Sequence, residues 1–83
     1  MTIRINKNYL TNIQNSEGIT HNLQDIISNV KIISNSSNSK NATVEITTYF
    51  SKFTYDVPKT MIELYDEDDS FVSTLEIKNK KGN

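Results

Sequence analysis

At 83 residues and 9.5 kDa the chain has room for one small domain, which buries only about two-thirds of its unfolded surface and is thinly stabilised. It has no cysteine, one histidine and two glycines, which excludes disulfides, thiol catalysis, His-pair metal centres and a glycine-rich phosphate loop. The net charge of −1 and a single arginine, Arg4, leave no uniformly basic surface, so nucleic acid is not an expected partner.

Thr2-Ile3-Arg4-Ile5-Asn6 alternates polar and apolar side chains and predicts a short strand. Tyr9, Leu10 and Ile13 follow among polar residues, as either a single helical turn or an extended arm, and Asn15-Ser16-Glu17-Gly18 is a turn signal. From Ile19 the period changes. Ile19, Leu23, Ile26, Ile27 and Val30 make one apolar helical stripe, with Thr20 or Asn22 as N-cap and Asp25 in the favoured first turn. A helix is therefore predicted over 20–30, although the β-branched Val30-Lys31-Ile32-Ile33 leaves open an earlier end and a strand in its place.

Residues 34–41 carry no apolar side chain and predict a solvated loop, in which the N-x-S/T patterns at Asn35 and Asn41 read as accidents of composition. Beyond the loop the pattern is β throughout. Val44, Ile46, Thr48 and Phe50 alternate with polar neighbours, and then Phe53, Tyr55 and Val57 take over the inward role. That change of parity requires a bulge or a tight turn near Ser51-Lys52. Because Ser-Lys is poor hairpin chemistry, a bulge in one long bent strand is predicted, ending at Pro58.

Thr60–Tyr65 and Phe71–Ile77 flank Asp66-Glu67-Asp68-Asp69-Ser70, a hairpin with a five-residue acidic loop. Pairing Tyr65 with Phe71 predicts Leu64 opposite Val72 and Glu63 opposite Ser73. The hairpin is then apolar on both faces and needs a cover on each, from the fold or from another chain. Residues 1–78 form the predicted domain and 79–83 a polar tail. The expected fold is α+β, one short helix packed on an antiparallel sheet of four to five strands, with an all-β sandwich as the alternative.

No arrangement of residues points to catalysis, and none points to a cofactor or a small-molecule substrate. His21 has no nucleophile pattern beside it and reads as a surface histidine. Asp66, Asp68 and Ser70 have the one-three-five spacing of a calcium loop, but Phe71 stands where that loop needs glycine, so no metal is expected. A carboxylate pair of glycosidase type would need a cleft larger than so short a chain can wall. The acidic cluster speaks more for binding. Lys59, Lys78, Lys80 and Lys81 fall at the open end of the hairpin and the acids at its tip, which makes the hairpin a charge dipole suited to steering onto a basic partner.

The expected partner-binding residues are thus Tyr65, Asp66, Glu67, Asp68, Asp69 and Phe71. The competing reading is a solubilising turn that blocks edge-to-edge association. Tyr9, Tyr49, Tyr55, Tyr65 and Phe71 all lie beside polar positions or loops and read more readily as core-rim residues than as interface residues.

Ile, Asn, Lys, Tyr and Phe supply 37 residues while Ala, Gly, Pro and Arg supply five, a bias of AT-rich genes such as those of low-GC bacteria, phages and mobile elements. No apolar run exceeds four residues, so neither a membrane span nor a signal peptide is expected. The combined expectation is a small non-enzymatic binding protein of the host cytoplasm, phage- or mobile-element-encoded, that occludes a host macromolecule through the acidic tip. The alternative is a structural or adaptor subunit, for example of a virion, that forms a homodimer or larger assembly through the two-faced hairpin.

Overall fold

Strand β3, Asn41–Thr48, is the spine of the structure: Ala42, Val44, Ile46 and Thr48 are buried in strict alternation with half-buried neighbours. The structure is a computed structural model that describes residues 1–75. β2 (Ile27–Ser34) and β4 (Lys52–Pro58) pair antiparallel with the two edges of β3. A second antiparallel sheet has the order β1-β5-β6, with β1 at Thr2–Ile5, β5 at Ile62–Tyr65 and β6 at Phe71–Thr74. The architecture is mixed α+β with two three-stranded sheets, where a single sheet of four to five strands was expected. Pro58 explains the break. It has no ladder donor, and a 3-10 turn at Lys59–Met61 carries the chain out of the first sheet so that β5 pairs with β1.

The main helix, α1, runs Lys7–Glu17, where the sequence predicts only a turn or an arm. The Asn6 side chain accepts from the N–H groups of Asn8 and Tyr9 and caps its start. Gly18 ends it at φ +67°, where the N–H groups of Gly18 and Ile19 donate to the carbonyls of Asn15 and Gln14. Leu10 and Ile13 are its buried residues, and they join Ile5, Leu23, Val44, Ile46, Val57 and Ile62 in one core. That shared core rules out the all-β alternative.

The helix predicted over 20–30 is corrected to a single turn, α2, at Leu23–Ile26, after which the chain enters β2. Asn22 caps it as anticipated, accepting from the Gln24 N–H, and the Gln14 side chain holds the Leu23 N–H. Helical bonding then loses to pairing with β3, because Ile27, Val30 and Ile32 are β-branched and pair with Thr48, Ile46 and Val44 along its edge.

The bent strand predicted through Ser51 is corrected as well: β3 and β4 are joined by a hairpin turn at Tyr49-Phe50. Neither residue has positive φ, so this is not the primed turn that demands Asn-Gly. Thr48 supplies the missing chemistry. Its hydroxyl accepts from the N–H groups of Phe50 and Ser51 and donates to the Ser51 carbonyl, while its own N–H donates to that same carbonyl.

Candidate functional site

The β5–β6 hairpin forms with its predicted loop and with Tyr65 opposite Phe71. A bulge follows at once, so that Leu64 faces Ser73 and Glu63 faces Thr74, one residue off the predicted register. Val72 is the extra residue. It lies 48% exposed beside Phe71 at 56%, so the bulge turns two consecutive apolar side chains toward solvent instead of onto opposite faces. β5, by contrast, lies between β1 and β6 and buries Ile62. The hairpin is therefore apolar and open mainly at its tip and along β6. The predicted extension of the strand to Ile77, and the tail at 79–83, lie outside the described residues.

Within the loop Asp66 has a structural task. Its Oδ1 accepts from the N–H groups of Asp68 and Ser70, and its own N–H donates to the Ser70 carbonyl. This folds the loop tightly enough to force Asp69 into the left-handed region at φ +66°. The one-three-five spacing thus belongs to an Asx turn, and no group of three or more His, Asp or Glu side chains is placed to hold a metal among the described residues.

From the neighbouring strand β1, Arg4 completes the tip. Its guanidinium pairs with the Asp69 carboxylate and lies 4.3 Å from the centre of the Tyr65 ring, which it covers as a cation–π contact. Tyr65 in turn meets Phe71 edge to face, with ring centroids 5.8 Å apart. The Tyr65 hydroxyl donates to Glu63 Oε1 at 2.9 Å, and Asn6 Nδ2 donates to Glu63 Oε2 at 3.0 Å. This hydrogen bond to Glu63 is the main cause that raises the Tyr65 pKa above its ordinary 10.0; desolvation and the Glu63 charge add to it, and Arg4 opposes them.

The six predicted residues are therefore together but unequal. Glu67, Asp68 and Phe71 face solvent; Asp66 serves the loop; Asp69 is paired; and Tyr65 is half-buried beneath Arg4. Sequence reasoning missed Arg4 and Val72. Arg4 carries no local signal, since its partner Asp69 lies 65 positions away, and Val72 is exposed only by the bulge. The predicted charge dipole also changes. Lys59 is buried and donates its Nζ to the Ser36 carbonyl at 2.6 Å, so it is not an exposed counter-charge; Lys78, Lys80 and Lys81 lie outside the described residues.

A second feature adjoins the tip. A cleft of about 800 Å³ opens between β1 and β2, walled by Ile3, Ile5, Ile27 and Val30, with Lys7 at the start of α1 and with Arg4, Glu63 and Tyr65 on the side toward the hairpin. A third is the turn between β3 and β4, where Tyr49 is 72% and Phe50 68% exposed. His21 stacks on Phe50 with ring centroids 4.9 Å apart. Tyr9 and Tyr55 do pack against the core, as core-rim residues do, whereas Tyr49 and Phe71 are exposed, which corrects that expectation for them. No helix among the described residues is long and apolar enough to cross a membrane. A scan against protein-family models, a search of curated proteins and a search of solved structures each find no match to this chain.

Proposed function

We propose that this chain is a small non-enzymatic binding protein that occludes a protein partner through the β5–β6 tip. The observation that carries the reading is the exposed pair Phe71-Val72, set by a bulge directly beside the exposed carboxylates of Glu67 and Asp68. An apolar contact rimmed by like charges suits a partner with a basic surface around an apolar depression. The charges speed encounter and the apolar pair, once desolvated, slows release. The bias toward AT-rich codons supports a phage or mobile-element origin, and with it a cytoplasmic target.

The test is capture from the source cell by the parent chain and by the double variant Phe71→Ser/Val72→Ser in parallel, with circular dichroism to show both are folded. A partner retained by the parent and lost by the variant supports the reading. With that partner purified, Glu67→Gln/Asp68→Asn should slow association several-fold at low salt and much less at high salt, on the scale of steering by two charges. Equal capture by both chains refutes it. Exposure of Tyr49 and Phe50 favours the structural-subunit alternative, in which sedimentation equilibrium shows self-association that Phe50→Ser abolishes.

A further inference from the structure

Strand β4 is the outer edge of its sheet, and among the described residues no strand pairs with its far side. Backbone parity shows which of its groups face out. At one end the Thr48 N–H donates to the Ser51 carbonyl, and at the other the Lys59 N–H donates to the Lys40 carbonyl. Alternation between these two ends commits Phe53, Tyr55 and Val57 to β3 and directs the N–H and C=O groups of Lys52, Thr54 and Asp56 away from it. Register irregularities interrupt β2 and β6, and β1 lies alongside β2, whereas β4 pairs with β3 without a break from Lys52 to Pro58. β4 is thus a regular edge with a row of outward peptide groups.

The side chains along this edge are chemically symmetric about Thr54. Phe53 and Tyr55 flank it as two aromatics, both half-buried and packed against the core. Lys52 and Asp56 come next, exposed on the opposite face and of opposite charge. Neither forms an ion pair among the described residues, and Asp56 is held in place by the Thr43 hydroxyl, which donates to its carboxylate at 2.8 Å. Edge charges keep copies apart when pairing would set like signs opposite each other. Here a two-fold axis at Thr54 sets unlike signs opposite. An axis at Lys52 or Asp56 opposes like charges, and an axis at Phe53 or Tyr55 leaves both charges facing uncharged residues, so one register is selected.

We infer that the β4 edge is an interface for a second copy of this chain, in which β4 pairs antiparallel with its counterpart about a two-fold axis at Thr54. Thr54 exchanges both backbone bonds with Thr54 of the second copy, and Lys52 exchanges both with Asp56 at each end of the ladder. On the outer face each Lys52 ammonium meets an Asp56 carboxylate. On the core face each Phe53 meets a Tyr55, which carries the apolar layer across the axis. Pro58, which has no N–H to offer, ends the ladder beyond Asp56. The product is one continuous antiparallel sheet in the order β2-β3-β4-β4-β3-β2. This surface is separate from the β5–β6 tip and from the β3–β4 turn, and the inference goes beyond the function proposed above.

Sedimentation equilibrium of the full chain from micromolar to millimolar concentration should show a monomer–dimer equilibrium. Asp56→Lys and Lys52→Asp each set like charges opposite at both ends of the ladder and should weaken the dimer about tenfold or more, whereas the double variant Lys52→Asp/Asp56→Lys should restore most of the loss. The chain has no cysteine, so Thr54→Cys supplies one thiol per copy, and at the two-fold the paired Cα atoms lie about 5.5 Å apart, within disulfide reach. Mild oxidation should crosslink it far faster than Lys52→Cys or Asp56→Cys, whose counterparts are displaced by roughly 13 Å along the strands. This comparison decides even where a charge reversal fails to fold. A chain that stays monomeric at millimolar concentration overturns the inference, as does a dimer that the double variant does not restore or that crosslinks equally fast at all three positions. Loss of the dimer in Phe50→Ser or in Phe71→Ser/Val72→Ser, with no response to charge reversal, overturns it in favour of the β3–β4 turn or the hairpin tip.

Discussion

Replacing Thr48 by valine removes one hydroxyl and keeps the shape of the side chain, yet it should unlatch the β3–β4 hairpin. Thr48 is 8% exposed, and its hydroxyl makes three hydrogen bonds, accepting from Phe50 at 3.1 Å and Ser51 at 2.9 Å and donating to the Ser51 carbonyl at 3.1 Å. A hydrogen bond contributes about 0.5–1.5 kcal/mol net. The two N–H groups belong to exposed residues, so water recovers part of that, and the loss should be about 1–3 kcal/mol, similar to losing a strong helix cap. Out of roughly 4–12 kcal/mol for a domain of this size, that is a large fraction.

With no tryptophan and four tyrosines, urea denaturation is followed by far-ultraviolet circular dichroism and tyrosine emission. At a slope of about 1 kcal/mol per molar urea, Thr48→Val should lower the midpoint by about 1–3 M. Thr48→Ser keeps the hydroxyl, loses only a methyl, and should shift the midpoint by no more than about half as much. If Thr48→Val stays within about 0.3 M of the parent, or if serine is as damaging as valine, the turn is held by strand pairing alone and the role given to the hydroxyl is wrong.

Two further outcomes follow from the hairpin tip. Asp66→Ala, which strips both N–H partners from the loop, should cost about 1–2 kcal/mol in thermal or urea unfolding, while Asp66→Asn, whose oxygen can still accept, should cost less than half of that. Because the Tyr65 pKa is raised in the folded state, its bond to Glu63 adds stability that is fully present below pH 10 and fades as pH rises through the folded pKa. Ring-carbon resonances of Tyr65 should therefore titrate above those of a tyrosine model peptide, and Glu63→Gln should bring them back toward it; titration at the model value would remove the Glu63 bond from the account.

What could be read from the sequence was mostly local. The strand at Thr2–Ile5, the polar loop after Ser34, the stop at Pro58 and the acidic hairpin with Tyr65 facing Phe71 each rest on residues adjacent in the chain. The helix stripe misled for a specific reason. A register irregularity between Ile27 and Asn29 lets Ile27, Val30 and Ile32 share the half-buried side of β2, and the resulting gap of three residues imitates helical spacing. The true helix was marked by its ends, Asn6 and Gly18, with Leu10 and Ile13 three apart between them, but so short a stripe among asparagines carries little periodic signal. The bulge at Val72 and the contacts of Arg4 had no signal in their own segments, since both depend on β1, β5 and β6 meeting across most of the chain.

Those two residues change the energetics of the site. Five carboxylates in seven residues suggest strong long-range attraction, but Asp69 is neutralised by Arg4, Glu63 is held by Tyr65 and Asn6, and Asp66 is turned into its own loop. Hydrogen bonds from neutral donors leave a carboxylate's charge in place, so Glu67 and Asp68 are set apart by being exposed and unengaged, and the field of the whole cluster decays within about 8–10 Å at ordinary salt. Weight shifts accordingly to Phe71 and Val72. Full burial of a large apolar side chain is worth about 1.5–3 kcal/mol, and these two have roughly half of their surface still to lose, so together they contribute about 2 kcal/mol, some thirtyfold in affinity. Arg4 links this surface to the cleft, because it stands on β1 with its backbone committed to β5 and its side chain to the tip. By covering the Tyr65 ring and pairing with Asp69, it fixes the support against which Phe71 stands exposed.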